Sequence, residues 1–231
     1  MIFAGIQKTS TIDYPGRLCS ILFTQGCMFR CHYCHNPELV LPDQYSNNHI
    51  SDDDAIKFLI NRKNLVDAIS ITGGEVTLHK GLYEFVRKLK DNGFKVKIDT
   101  NGVNPGAIEK LVSELDFIAM DVKAVNKEHY EETVDVSVNF DNIKKSIELI
   151  KNSGIDYEFR TTVVPALFPI EKFDALGKLL QGSKKLVLQQ FVNRKVLNPE
   201  YAKKSPYTPQ ELTEIKQVLE KYIDVVDIRG I

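Results

Sequence analysis

The feature that most constrains this chain is a repeated change of hydrophobic period. Short β-branched or apolar runs alternate with longer stretches whose apolar residues recur at helical spacing. Candidate strands are Leu18–Thr24, Ala68–Thr72, Phe94–Thr100, Phe117–Asp121, Tyr157–Val164 and Leu186–Gln190. Helical patterns lie between them at Asp52–Arg62, Lys80–Asn92, Pro105–Glu114, Asn139–Asn152 and Pro169–Gln181. A last one, Pro209–Tyr222, precedes a short strand at Val225–Ile228. Such alternation gives parallel strands joined by right-handed crossovers, hence an α/β fold. Six units fall short of the eight in a closed barrel, so the expectation is a partial (β/α)6 barrel with outer helices.

Local signals agree with this reading. Ser51 followed by Asp54 has capping chemistry and opens a helical period, whereas Ser10 before Asp13 has the chemistry alone. Asn92-Gly93 and Ser153-Gly154 each end a helix just before a strand. Val192–Ser205 lacks a period and reads as a surface loop. With no internal repeat, low-complexity tract or long linker, residues 1–231 are expected to form one domain.

Composition narrows the class of function. With 43% apolar and 26% charged residues the chain has ordinary globular values, which excludes a disordered chain. Thirty basic against 31 acidic side chains leave a net charge of −1, without the basic excess of a general nucleic-acid binder. No apolar run approaches the ~18 residues of a membrane span. Met1–Arg17 is too polar for a secretory signal. A cytoplasmic protein with neither a nucleic-acid nor a membrane partner is expected.

The four cysteines do not suit a disulfide framework in that compartment. Cys27, Cys31 and Cys34 crowd one loop after the first strand, at the strand end where α/β active sites form, while Cys19 stands apart as a buried small hydrophobe. Three readings fit the loop. A structural zinc site would add His32 or His35 to the thiolates. A c-type haem would use Cys31-His32-Tyr33-Cys34-His35, although covalent haem belongs with exported proteins. An iron–sulfur cluster would take the three thiols and leave one iron open to a ligand.

The C-x3-C-x2-C spacing, Tyr33 and a strand-end Gly73-Gly74-Glu75 resemble the radical S-adenosylmethionine (SAM) superfamily. Asp13-Tyr14-Pro15-Gly16, Gln25-Gly26-Cys27, Tyr33-Cys34-His35-Asn36, Asp99-Thr100-Asn101-Gly102 and Met120-Asp121-Val122-Lys123 resemble, in order, the activating enzymes of glycyl-radical enzymes. Among these the chain is most similar to the activating proteins of anaerobic ribonucleoside-triphosphate reductase. The resemblance implies a [4Fe–4S] cluster on Cys27, Cys31 and Cys34, with SAM on the open iron. Reductive cleavage would give a 5′-deoxyadenosyl radical that takes a Cα hydrogen from a partner's glycine, away from oxygen. Flavodoxin or ferredoxin would supply the electron, and no thiol remains for an auxiliary cluster.

The same resemblance assigns the other residues. Gly73, Gly74 and Glu75 form the edge for the SAM amino group, and Val76 replaces the family's usual proline. Asp121 and Lys123 contact SAM ribose and carboxylate, and Asp99 with Asp121 form a site for a monovalent cation. Tyr33 and His35 lie near SAM through packing and backbone contacts. Arg160 pairs the SAM carboxylate if it faces inward, Phe191 flanks the adenine, and Asp13 meets the partner's glycine loop. The bland readings remain beside these: plain turns at Gly73-Gly74, Asn101-Gly102 and Asp13–Gly16, a surface ion pair at Asp121 and Lys123, and a core Phe191. Two other functions stay open, a radical SAM enzyme acting on a small metabolite (a deazaguanine-forming type) and a non-enzymatic zinc-binding module.

Overall fold

The computed structural model describes every residue except Ser46, Asn48 and Ile231. Among the described residues ten strands are present: β1 (Ile2–Phe3), β2 (Gly5–Ser10), β3 (Cys19–Thr24), β4 (Ile50–Ser51), β5 (Ala68–Gly73), β6 (Lys95–Thr100), β7 (Phe117–Asp121), β8 (Asp156–Val163), β9 (Lys185–Gln190) and β10 (Val225–Arg229). Among the same residues eight α-helices accompany them: α1 (Pro37–Val40), α2 (Asp52–Ile60), α3 (Leu82–Asp91), α4 (Pro105–Leu111), α5 (Lys127–Val134), α6 (Phe140–Lys151), α7 (Phe173–Leu179) and α8 (Pro209–Leu219). The main sheet has the order β10-β9-β8-β7-β6-β5-β3-β2. Its pairings are parallel from β3 to β10, and only β2 runs antiparallel, on β3. This is the expected α/β architecture, with six crossovers and a seventh parallel strand supplied by Val225–Arg229.

Besides the short β1, β4 and α1, two longer elements escaped the sequence pattern, for physical reasons. β2 reads Gly-Ile-Gln-Lys-Thr-Ser and is largely exposed, as an edge strand is, so it lacks the apolar alternation that marks a strand. α5 is short and polar but capped by Asn126, whose side chain accepts from the His129 amide, and it buries His129, Tyr130, Thr133 and Val134. Ser51 caps α2 through the Asp54 amide at 3.1 Å, as expected. Ser10 instead donates to Asp13 and accepts from Ile12 N inside the β2–β3 turn, with no helix behind it.

Strand parity divides the interior in two. Leu22, Ile69, Ile71, Val96, Ile98, Ile118, Met120, Leu186 and Leu188 join the large core that also contains the helices' apolar residues. Their neighbours on the opposite face give a second, small cluster of Tyr14, Cys19, Ile21, Ala68, Phe117 and Ala119. Further along the same face, toward the C-terminal strand ends, the residues turn polar: Ser70 and Thr72 on β5, Lys97 and Asp99 on β6, Asp121 on β7, Arg160 and Thr162 on β8. On the same face, toward the β10 edge, Arg229 on β10 forms a two-pronged ion pair with buried Glu158 on β8, at 2.8 and 2.7 Å, and so bridges across β9.

Candidate active site

A cavity of about 320 Å³ opens at the polar strand ends, within the ~300–1,000 Å³ common for small-molecule sites. It is lined by the cysteine loop on one side and by the ends of β5 to β9 on the other. All the candidate residues meet there: Cys27, Cys31, Tyr33, Cys34 and His35 from the loop, Gly73, Gly74 and Glu75 after β5, then Asp99, Asp121, Lys123 and Arg160. Asp13 also reaches it. Phe191 does not: it is 1% exposed within the large apolar core, so the core reading holds and the adenine role is withdrawn. Gln189, Thr162 and Asn101 line the cavity as well, without having been singled out as site residues.

The glycine pair is demanded by the chain itself. Gly74 N donates to Thr24 O at 2.9 Å and Glu75 N to Gly26 O at 2.7 Å, which brings the cysteine loop's backbone against the end of β5. A Cβ on Gly74 would sit 2.0 Å from Gly26 O, and Gly73 adopts φ +115°. Glu75 then turns inward. Its carboxylate accepts from Thr77 N at 3.0 Å, Thr100 Oγ1 at 2.7 Å and Asn101 N at 2.6 Å, so it ties the ends of β5 and β6 together. Burial pushes its pKa up against these donors. Because Glu75 also caps the turn Val76–Leu78, this segment is ordered without the family's proline.

The cysteine loop is held from both ends. Arg30 donates through Nη1 to Cys27 O at 2.7 Å and Phe29 O at 2.9 Å, and its amide bonds Val134 O at the end of α5. Residues Val192–Ser205, expected as a plain loop, form a strap: Leu197 N donates to Cys34 O at 2.9 Å and Asn198 N to His32 O at 3.0 Å. Tyr201 stacks on His32 at 4.9 Å, and His35 Nδ1 pairs with Lys195 O at 3.0 Å. Cys27 Sγ accepts from Phe29 N at 3.4 Å and Asn101 Nδ2 at 3.7 Å. Burial raises all three thiols, Cys27 to about 11 and Cys31 to about 12. Among the described residues no three His, Cys, Asp or Glu side chains converge on one metal-ion position. The three loop thiols line one cavity.

Opposite the thiols runs a row of alternating charges. Lys97 pairs with Asp99 Oδ1, Arg160 Nη1 lies 3.2 Å from Asp99 Oδ2, Arg160 Nε lies 2.8 Å from Asp121 Oδ1, and Lys123 Nζ lies 3.4 Å from Asp121 Oδ2. Arg160 stands beside Asp121 in the β7–β8 register and reaches over β7 to β6. This is a buried network facing the cavity, not a surface pair. Burial opposes the ionised form of Asp99, but Arg160 and Lys97 outweigh it and hold the carboxyl at about 2. Asp121 is lowered in the same way by Arg160 and Lys123. Within this row three cations face two anions, and its two cavity-lining cations, Lys123 and Arg160, are suited to an anionic group such as a carboxylate. Lys123 Nζ also lies 5.9 Å from the centre of the buried Tyr33 ring, linking the charge row to the cysteine loop.

Among the described residues no helix is long and apolar enough to cross a membrane. The radical SAM superfamily matches residues 21–181. A protein of Methanocaldococcus jannaschii named as a glycyl-radical enzyme activating enzyme is 35% identical over 237 residues, covering 100% of this chain and 96% of that one. The pyruvate formate-lyase-activating enzyme of Clostridium pasteurianum is 29% identical over 169 residues, 71% of this chain and 68% of its own. Among solved structures, SuiB of Streptococcus suis bound to S-adenosylmethionine shares the fold with a TM-score of 0.69 at 16% identity, over 91% of this chain and 52% of that one. With the superfamily matching most of the chain and one relative aligned along all of it, the chain belongs to the radical SAM superfamily, among the glycyl-radical enzyme activating enzymes.

Proposed function

We propose that residues 1–231 act as a single unit that installs a glycyl radical on anaerobic ribonucleoside-triphosphate reductase, with flavodoxin or ferredoxin as electron donor. The superfamily implies a [4Fe–4S] cluster and SAM as cofactors, and the activating enzymes imply a glycyl-radical enzyme as partner. The residues present fit the cofactors. Three thiols of one loop face one cavity, with Asn101 Nδ2 and Phe29 N donating to the Cys27 sulfur in a way that favours a thiolate. When bound, cluster and SAM supply reductive cleavage of the S–C5′ bond, which leaves methionine and a 5′-deoxyadenosyl radical able to take a Cα hydrogen.

The chain's own residues position this chemistry. Cys27, Cys31 and Cys34 would hold the cluster, and the strap and Arg30 fix their loop. Lys123 and Arg160 carry their positive charges toward the SAM carboxylate. Asp99 and Asp121 keep spare lone pairs for ribose hydroxyls. The backbone edge at Gly73, Gly74 and Glu75 faces the amino group, Tyr33 and His35 pack beside the thiols, and Asp13 stands toward the incoming glycine loop. A monovalent cation between Asp99 and Asp121 does not fit, because the Arg160 guanidinium spans that gap.

The observation that carries the reading is the meeting of three loop thiols and an inward charge row in one cavity. Anaerobic reconstitution is expected to give a brown protein with about four irons per chain. Dithionite and SAM should then yield 5′-deoxyadenosine, lost in Cys31→Ala. Adding anaerobic ribonucleotide reductase should produce the doublet signal of a glycyl radical by electron paramagnetic resonance. The relatives named for pyruvate formate-lyase make that enzyme the second reading. A glycyl signal with it alone would replace the reductase as partner. A protein that retains zinc and forms no chromophore would overturn the cluster.

A further inference from the structure

Lys97 lies in the middle of a buried strand, with a side chain only 3% exposed. Val96 and Ile98 on either side belong to the large apolar core, so parity turns Lys97 to the face that carries Asp99. A buried ammonium needs acceptors. Among the described residues its partners are Asp99 Oδ1 and, at 3.4 Å, Ser70 Oγ. It is absent from the cavity lining, whereas Asp99 is part of it. Lys97 therefore reaches a ligand only through Asp99.

Two carboxylates at neighbouring strand ends are a common setting for a hard cation, which takes oxygen ligands. Here every carboxylate oxygen already faces a protein cation. Asp99 has Lys97 and Arg160, and Asp121 has Arg160 and Lys123. A metal ion added between these two carboxylates would meet three fixed positive charges that already occupy all four of their oxygens. We propose that Lys97 is the built-in counter-cation of Asp99. It is a positioning residue that takes the place of a monovalent metal ion and makes cofactor binding at this rim independent of sodium and potassium. The inference rests on the reading that the cavity binds SAM.

Isothermal titration of the reconstituted protein with SAM, at equal ionic strength in sodium, potassium or choline chloride, tests it. Wild-type affinity is expected to agree within about twofold across the three salts, since screening is equal. Lys97→Met should lower affinity in choline by about tenfold, with most of the loss restored by potassium, because removing one partner of a buried pair leaves the other charge exposed to repair. A mere packing role for Lys97 would weaken binding equally in all salts and overturns the proposal, as does a wild-type affinity that collapses in choline. If Lys97→Met fails to fold, the wild-type comparison still decides. No SAM binding in any salt would overturn the reading beneath the inference, a result distinct from salt-dependent binding.

Discussion

At Gly74 a single methyl group would decide whether the cysteine loop can lie against β5. A Cβ there would meet the Gly26 carbonyl oxygen at 2.0 Å and carbon at 2.7 Å, both backbone atoms with no rotamer to give way. Gly74→Ala is expected to cost about 1–3 kcal/mol of stability in urea unfolding, the range for overpacking, and to speed loss of iron to a chelator. Asp99 offers a test in pH. Its carboxyl lies at 3.8 when unperturbed and at about 2 when folded, so the ion form is favoured by folding. Its contribution is complete above the unfolded value and fades as pH falls toward the folded one. The shift corresponds to about 2 kcal/mol, of which about half is lost by pH 3. Asp99→Asn should show a flatter stability profile between pH 6 and pH 3, and an unchanged slope would contradict the pairing. At this scale the thiols and Gly73-Gly74-Glu75 were legible because their type and spacing have few other uses. Lys97 was not, because a lysine between Val96 and Ile98 looks outward until the inner face is known to be polar.

The strap shows how an element can matter without a period of its own. Val192–Ser205 has no amphipathic pattern because it buries little; it works through backbone donors of Leu197 and Asn198 and the Tyr201 ring on His32. Sequence pattern reports apolar burial, and such docking leaves no trace in it. β2 and α5 were missed for a related reason, one being an exposed edge and the other a short capped turn of helix. The long apolar strands were read to within about one residue and the helices to within about four, since burial on one or both faces dictates them. If the strap clamps the cysteine loop, Tyr201→Ala should cost only about 1–2 kcal/mol of overall stability, since its part-exposed ring stacks on His32 and touches the edge of the large core. Amide exchange at Cys34 and its neighbours should nonetheless rise, and iron should be released faster to a chelator. Unchanged exchange there, with normal iron retention, would show that the strap merely lies nearby.

At the scale of the whole molecule, the two apolar clusters are faces of one sheet and cannot part. On β3, Ile21 belongs to the small cluster and Leu22 to the large one; on β7 the same holds for Ala119 and Ile118. The small cluster also takes Tyr14 from the β2–β3 turn, which packs on Phe117 at 6.1 Å between ring centres. Opening either cluster strips its strands from the other. A chain of 231 residues lies in the range where populated intermediates are common, so the expectation is not trivial. The metal-free protein should unfold in urea as one transition. Tyrosine fluorescence reports both regions, through Tyr14 in the small cluster and Tyr130, Tyr157 and Tyr207 in the large one, with no tryptophan to dominate it. Its midpoint should coincide with that of far-ultraviolet circular dichroism, the usual test of two-state behaviour. Two resolved transitions would mean that the inner face, and the charge row it carries, folds on a core laid down before it.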